Sequence, residues 1–293
     1  MSREQVSVRA RDGECPVHIF TPATGSGPWP AAIFFMDGLG IRPTLFDMGQ
    51  RLADAGYVVL LPDLYYRAGP YEPLDPKVVF GSGDVRAAIG HLYPTTGNRP
   101  AAADTEAFLA LIDSRKDVSG RKIGTTGYCM GGGISLTAAG TYPDRIAAAA
   151  SFHGGNLASD AEDSPHLLAP KIKARVYVAG ADQDGSYPPE MEVRLDKALT
   201  EAKVDHRCEI YPGALTVGRW PISRSTTKRR PSGIGRSWWR CSRRRWGKEL
   251  SFRSESELQH SPSPNPPPSR GRALKGDAHN SCPSPLMGEA RRG

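Results

Sequence analysis

Residues 123–139 run Ile-Gly-Thr-Thr-Gly-Tyr-Cys-Met-Gly-Gly-Gly-Ile-Ser-Leu-Thr-Ala-Ala, and this stretch constrains the fold more tightly than any other part of the chain. A short strand at 123–126 passes into a small-residue helix through Ala139 with little more than Gly127-Tyr128-Cys129-Met130-Gly131 between them. So tight a turn leaves no room for side chains next to its apex, hence Gly127 and Gly131. It also raises the apex residue above the sheet edge, at the N-terminus of the following helix. G-x-C-x-G in this setting is the thiol form of a nucleophile elbow. The helix dipole and free N–H groups there predict a lowered pKa for Cys129, and the N–H of Met130 is a candidate oxyanion donor. A buried cysteine in a Gly-rich helix start is the alternative. The preceding strand, the paired glycines and a later acid favour the nucleophile.

The chain around the elbow alternates between strand and helix. Short apolar runs at 31–36, 57–61, 146–152 and 175–180, with 205–211, read as strands buried in a sheet. Helical spacing marks 43–55, 84–93, 101–113 and 189–202. Strand, helix, strand, helix implies an α/β fold with a mostly parallel, doubly wound sheet. Two further strand ends carry candidate chemistry. Met36-Asp37-Gly38-Leu39-Gly40 follows the first run, where Gly38 would present a second oxyanion N–H; Asp37 is either a loop acid or a direct participant. Val178-Ala179-Gly180-Ala181-Asp182-Gln183-Asp184 follows another, and a carboxylate there would orient an imidazole. The spacing to Tyr187-Pro188 favours Asp184, with Asp182 as the alternative.

With these residues assembled, the chain to about residue 214 resembles the dienelactone hydrolase family, which has the α/β-hydrolase fold. The resemblance rests on Met36 to Gly40, Leu61-Pro62-Asp63-Leu64-Tyr65, Gly127 to Gly132, Gly180 to Pro188 and Tyr211-Pro212-Gly213-Ala214. It implies hydrolysis of carboxylic esters or lactones, with dienelactone-type cyclic esters as reference substrates and neither metal nor organic cofactor. It also implies a Cys-His-Asp triad with Cys129 as nucleophile and Asp184 as orienting acid. Members commonly have Glu where Asp37 stands, beside the resting thiol.

The departure is at the histidine. The family places His-Gly just after Tyr-Pro-Gly-Ala, as general base; here Leu215-Thr216-Val217-Gly218 follows, without a histidine. His206 precedes a strand and should point away from its C-terminal edge, and His260 and His279 lie far along the chain. His153, after the strand ending at Phe152, is a pocket candidate with a substrate-side or loop role favoured over that of a substituted base.

Charge divides the chain at the same place. Residues 1–215 carry 21 Lys+Arg against 26 Asp+Glu, a net −5, whereas residues 216–293 carry 17 against 5, a net +12, and four of the five tryptophans. Residues 1–215 therefore read as the hydrolase domain without its last strand–helix segment. Residues 216–293 form a basic tail with neither helical nor strand period, and 261–293 have a disordered composition. Permissible codons for 219–241, re-read one nucleotide earlier, give an amphipathic helix, which suggests a frameshift near 215. Impaired hydrolysis is the expectation that follows. The alternatives are a catalytically dead small-molecule binder and a nucleic-acid binder acting through Arg243-Arg244-Arg245 and Trp238-Trp239. Five cysteines without paired short spacing suggest neither a disulfide framework nor a zinc site. With no membrane-length apolar run and no secretory stretch at the start, a cytoplasmic protein without membrane or specific nucleic-acid partners is expected. Oligomeric state stays open.

Overall fold

The computed structural model describes residues 3–81 and 84–211. The tail beginning at 216 and its proposed frame, with Trp238, Trp239 and Arg243 to Arg245, lie outside the described residues, as do His260 and His279.

Eight strands form one sheet: β1 (Arg3–Ala10), β2 (Gly13–Phe20), β3 (Ala31–Phe35), β4 (Val58–Pro62), β5 (Ile123–Tyr128), β6 (Ile146–Phe152), β7 (Arg175–Ala181) and β8 (His206–Tyr211). Their order is β1-β2-β4-β3-β5-β6-β7-β8. The β1/β2 and β2/β4 pairs are antiparallel and the remaining five are parallel. The N-terminal hairpin is the part that the β/α reading above omits, although Val6, Val8 and Ala10 alternate with polar residues as a one-sided strand should.

Among the described residues six helices accompany the sheet: α1 (Pro43–Asp54), α2 (Pro76–Gly81), α3 (Val85–Ile89), α4 (Asn98–Ser114), α5 (Met130–Thr141) and α6 (Pro189–Glu201). The helix expected over 84–93 is only the short α3, capped by Asp84 Oδ1 accepting from Ala87 N–H at 2.9 Å. It gives way to a single 3-10 turn at Tyr93–Thr95, where Pro94 cannot supply a helical N–H. Helix α4 begins three residues before the expected 101.

Strand register assigns the helices to faces, because paired residues share a side of the sheet. Phe20, Val59 and Ala32 are in register across β2, β4 and β3; Phe20 packs beneath Gly49 of α1. Thr125 belongs to the opposite face and accepts from Ser135 Oγ of α5 at 2.9 Å. Gly180 of β7, where any side chain would strike Ile210 and Tyr187, is on that same face, against which α6 packs. Helices thus cover both faces, and the sheet is doubly wound. Apolar residues such as Ile33, Phe35, Leu60 and Leu61 are fully buried within it. On the Phe20 face a row of aromatic rings crosses four strands: Phe34 to Tyr128 at 6.0 Å, Tyr128 to Phe152 at 4.9 Å and Phe152 to Tyr177 at 6.0 Å.

Candidate active site

Parallel strands bring their C-terminal ends to one edge of the sheet, and the loops there collect the chemistry. Cys129 leaves β5 with φ 53° and ψ −119° and stands immediately ahead of α5. That backbone region is strained for any residue with a Cβ, by about 1–3 kcal/mol. The flanking glycines explain how it is reached. A Cβ on Gly127 would fall on the backbone of Gly131, and a Cβ on Gly131 on the carbonyl oxygen of Phe35. The elbow is pinned from below by Cys129 N–H donating to Phe152 O at 3.0 Å. Cys129 is half-buried.

The backbone N–H groups of Met130 and Gly38 both lie near enough to the Cys129 sulfur to lower its pKa. Two N–H groups from different loops converging on one atom are what a developing oxyanion requires. The protonation expectation for Cys129, by contrast, is corrected. Burial pushes the thiol above the ordinary cysteine value, the Asp37 carboxylate adds to this and Asp184 adds less, while the Met130 and Gly38 N–H groups pull the other way. Desolvation and two nearby anions outweigh the dipole at the start of α5.

Asp37 stands near enough to the thiol for its charge to raise the Cys129 pKa. Its carboxylate is gripped by Arg42, Nη1 to Oδ1 at 2.6 Å and Nη2 to Oδ2 at 2.6 Å, and it accepts Leu39 N–H at 3.0 Å. Arg42 also donates to Gly40 O at 3.1 Å. Tyr65 donates to Gly38 O at 2.7 Å, and Ile41 N–H donates to Tyr71 Oη at 2.9 Å. Asp37 therefore clamps the loop that presents Gly38. Sequence reasoning missed Arg42, Tyr65 and Tyr71; only Tyr65, within the Leu61–Tyr65 stretch, carried a signal. Tyr93 was missed as well. Its ring lies 3.8 Å from where a Gly38 side chain would be, and it is close enough to Cys129 for the sulfur to raise its pKa, after burial.

Between the two acids after β7 the structure discriminates. Asp182 is exposed, whereas Asp184 is buried at 5% exposure. Asp184 Oδ1 accepts from Ser186 N–H at 2.9 Å and from Ser186 Oγ at 2.6 Å, but Oδ2 is buried with no hydrogen-bond partner. His153 follows β6, next to the elbow in the sheet, because Tyr128 and Phe152 are in register. It adopts φ 38°, and its Nδ1 is likewise buried and unpartnered. His206 turns away as expected, engaging Val204 O at 2.8 Å and Asp196 at 3.1 Å. Among the described residues no group of three or more His, Cys, Asp or Glu is placed to hold a metal, and no helix is long and apolar enough to cross a membrane.

Comparison with known proteins bears on this geometry. The family model for the dienelactone hydrolase family matches residues 16–215, more than half of the chain. The chain belongs to the dienelactone hydrolase family. A carboxymethylenebutenolidase of Pseudomonas putida is 28% identical over 176 residues, 59% of this chain and 70% of that protein. A Synechocystis protein bearing the name "putative carboxymethylenebutenolidase" is 28% identical over 193 residues, 64% of this chain and 75% of its own length. Among solved structures, one titled m3DLH superposes with a TM-score of 0.62 at 21% identity, covering 85% of this chain and 98% of that one. That last likeness is one of fold.

Proposed function

We propose that this member of the dienelactone hydrolase family hydrolyses carboxylic esters or lactones, cyclic dienelactone-type esters included, through Cys129, and that its turnover is impaired. The observation that carries the reading is the convergence of the Gly38 and Met130 N–H groups on the Cys129 sulfur. The sulfur attacks the acyl carbon and a C–S bond forms. The carbonyl oxygen takes up the electron pair and is held by the two N–H groups. The C–O bond then breaks, the leaving oxygen takes the thiol proton, and an acyl-thioester remains. Water must next release the acid, and this step needs a base. Asp184 is suited to orient one, yet the chain has no histidine between His206 and His260. A frameshift near residue 215 would account for the loss, with residues 1–215 as the hydrolase domain and 216–293 as an aberrant basic tail. Every group in this mechanism comes from the chain itself, and a small ester or lactone is the only partner it requires. A cytoplasmic setting suits a catalytic thiol.

The test is reaction with p-nitrophenyl acetate, followed by p-nitrophenolate release and intact-mass analysis. One acetyl group per chain, located on Cys129 and absent from Cys129→Ala, is the expected result, with slow release afterwards. Equal labelling of Cys129→Ala would overturn the nucleophile, and fast steady turnover would overturn the impairment.

A further inference from the structure

Two buried polar atoms at the site lack partners: Nδ1 of His153 and Oδ2 of Asp184. Unsatisfied buried groups of this kind are few in a folded protein and call for an explanation. These two come from loops that are fastened together. His153 N–H donates to Ala179 O at 2.7 Å, and Asn156 N–H donates to Ser186 O at 2.7 Å. Ser186 is the residue that holds the other oxygen of Asp184. Any side chain at Gly155 would strike Ser186 Oγ, with a Cβ only 2.6 Å away. Cys129 N–H, in turn, donates to the carbonyl of Phe152, the residue before His153. Cys129, His153 and Asp184 therefore occupy the ends of three adjacent strands, β5, β6 and β7, at one sheet edge. His153 is held at φ 38°, a conformation unfavourable for a residue with a Cβ. Strain retained beside a reactive group points toward a role there.

We propose that His153 is the base that deacylates the Cys129 thioester in this chain, its side chain rotating so that Nδ1–H reaches Asp184 Oδ2, to which it is not bonded at rest, and its other ring nitrogen faces the attacking water. The proposal rests on the thioester reading above and supplies the step which that reading leaves slow. The imidazole takes a proton from water as the water oxygen bonds to the acyl carbon. The C–S bond then breaks, the sulfur leaves with its electron pair, and the imidazolium returns the proton to it. The carboxylic acid departs. The charged and titratable groups near His153 are Asp184 from the β7–α6 loop, Asp37 from the β3–α1 loop, and Tyr128 of β5, whose ring centroid lies 5.8 Å from the imidazole. Burial lowers the His153 pKa, and Asp184 and then Asp37 raise it in part, so the ring is neutral near pH 7 and able to accept a proton. The sequence offered no reason to prefer His153 over a loop role, because only the sheet brings 129, 153 and 184 together.

The experiment uses the full chain, acetylated with p-nitrophenyl acetate and freed of reagent, with loss of the 129 acetyl group followed by mass from pH 5 to 9. The wild type should show a decay rate that rises with pH and levels off, with a midpoint below the ordinary histidine value. His153→Gly, which suits a positive φ, should decay at least tenfold more slowly and recover with added imidazole. His153→Asn should lose the titration and keep only a slope proportional to hydroxide. A His260→Gln/His279→Gln double variant should decay like the wild type. Unchanged decay in His153→Gly overturns the proposal. So does slower decay that imidazole does not rescue, since that marks a structural effect, and so does loss of decay in the double variant. Absence of any acetyl-Cys129 in the wild type would instead overturn the thiol reading itself.

Discussion

Replacing Arg42 by Met isolates what the ion pair contributes to the site. Both side chains are 9% exposed, and the guanidinium makes two 2.6 Å hydrogen bonds to Asp37 and one of 3.1 Å to Gly40 O. Arg42→Met leaves the Asp37 carboxylate inside the protein with Leu39 N–H as its remaining donor. Breaking one side of a buried pair costs about 3–5 kcal/mol, because the surviving charge stays desolvated. At roughly 2–4 °C per kcal/mol for a domain of this size, the midpoint of thermal unfolding should fall by about 6–20 °C. Asp37→Asn/Arg42→Met removes both charges and should regain most of that loss. Urea titration followed by circular dichroism gives the stabilities. The clamped loop also aims the Gly38 N–H, so acetylation of Cys129 in Arg42→Met should slow by about 10²-fold, as for loss of one oxyanion donor. A cost under about 1 kcal/mol, or a double variant as unstable as the single one, would refute the buried-charge reasoning.

Three further outcomes follow from the same geometry. Gly131→Ala places a methyl on the carbonyl of Phe35, so it should lose more than about 3 kcal/mol in urea unfolding and lose Cys129 acetylation with it. His18 is buried against Phe46, and burial followed by Arg3 lowers its pKa to about 4. The unfolded chain protonates His18 below pH 6.5 and the folded chain does not, so its contribution is complete above 6.5 and is lost as pH falls toward 4. The loss amounts to roughly 3 kcal/mol, and His18→Phe should flatten that part of the stability–pH curve. Replacing 215–293 by the re-read frame with a His-Gly insertion after Ala214 should convert slow release into steady p-nitrophenyl acetate turnover; a purified, folded replacement that still releases slowly would refute the frameshift account.

How much of this was legible beforehand depended on whether the signal was local. Strands β3, β4, β6 and β7 could be read because buried strands in a parallel sheet are continuous apolar runs, and the elbow after β5 because a turn this tight permits only glycine at 127 and 131. Strand β2 gave a less clear signal because its partners, β1 and β4, flank it in antiparallel pairs and its residues alternate less simply. The choice of Asp184 over Asp182 rested on spacing, because a sequence does not show that Asp184 is buried and held by Ser186 while Asp182 is exposed. The resting state of Cys129 was misjudged because helix position is visible in a sequence, whereas desolvation and the proximity of Asp37 are not.

The amino-acid order alone determined the chemistry on offer: a thiol at a strand–helix turn, a glycine loop after β3, an acid after β7 and no histidine between His206 and His260. Each of these is set by neighbours a few residues apart, through allowed dihedrals and side-chain size. Tertiary structure decided which groups come together. Gly38 and Met130 are 92 residues apart in the chain yet bring their N–H groups to one sulfur. Asp37 turns to Arg42, and His153 comes within electrostatic reach of Asp184. Those relations depend on strand order and on which atoms are cut off from water, and both quantities exist only once the sheet has formed.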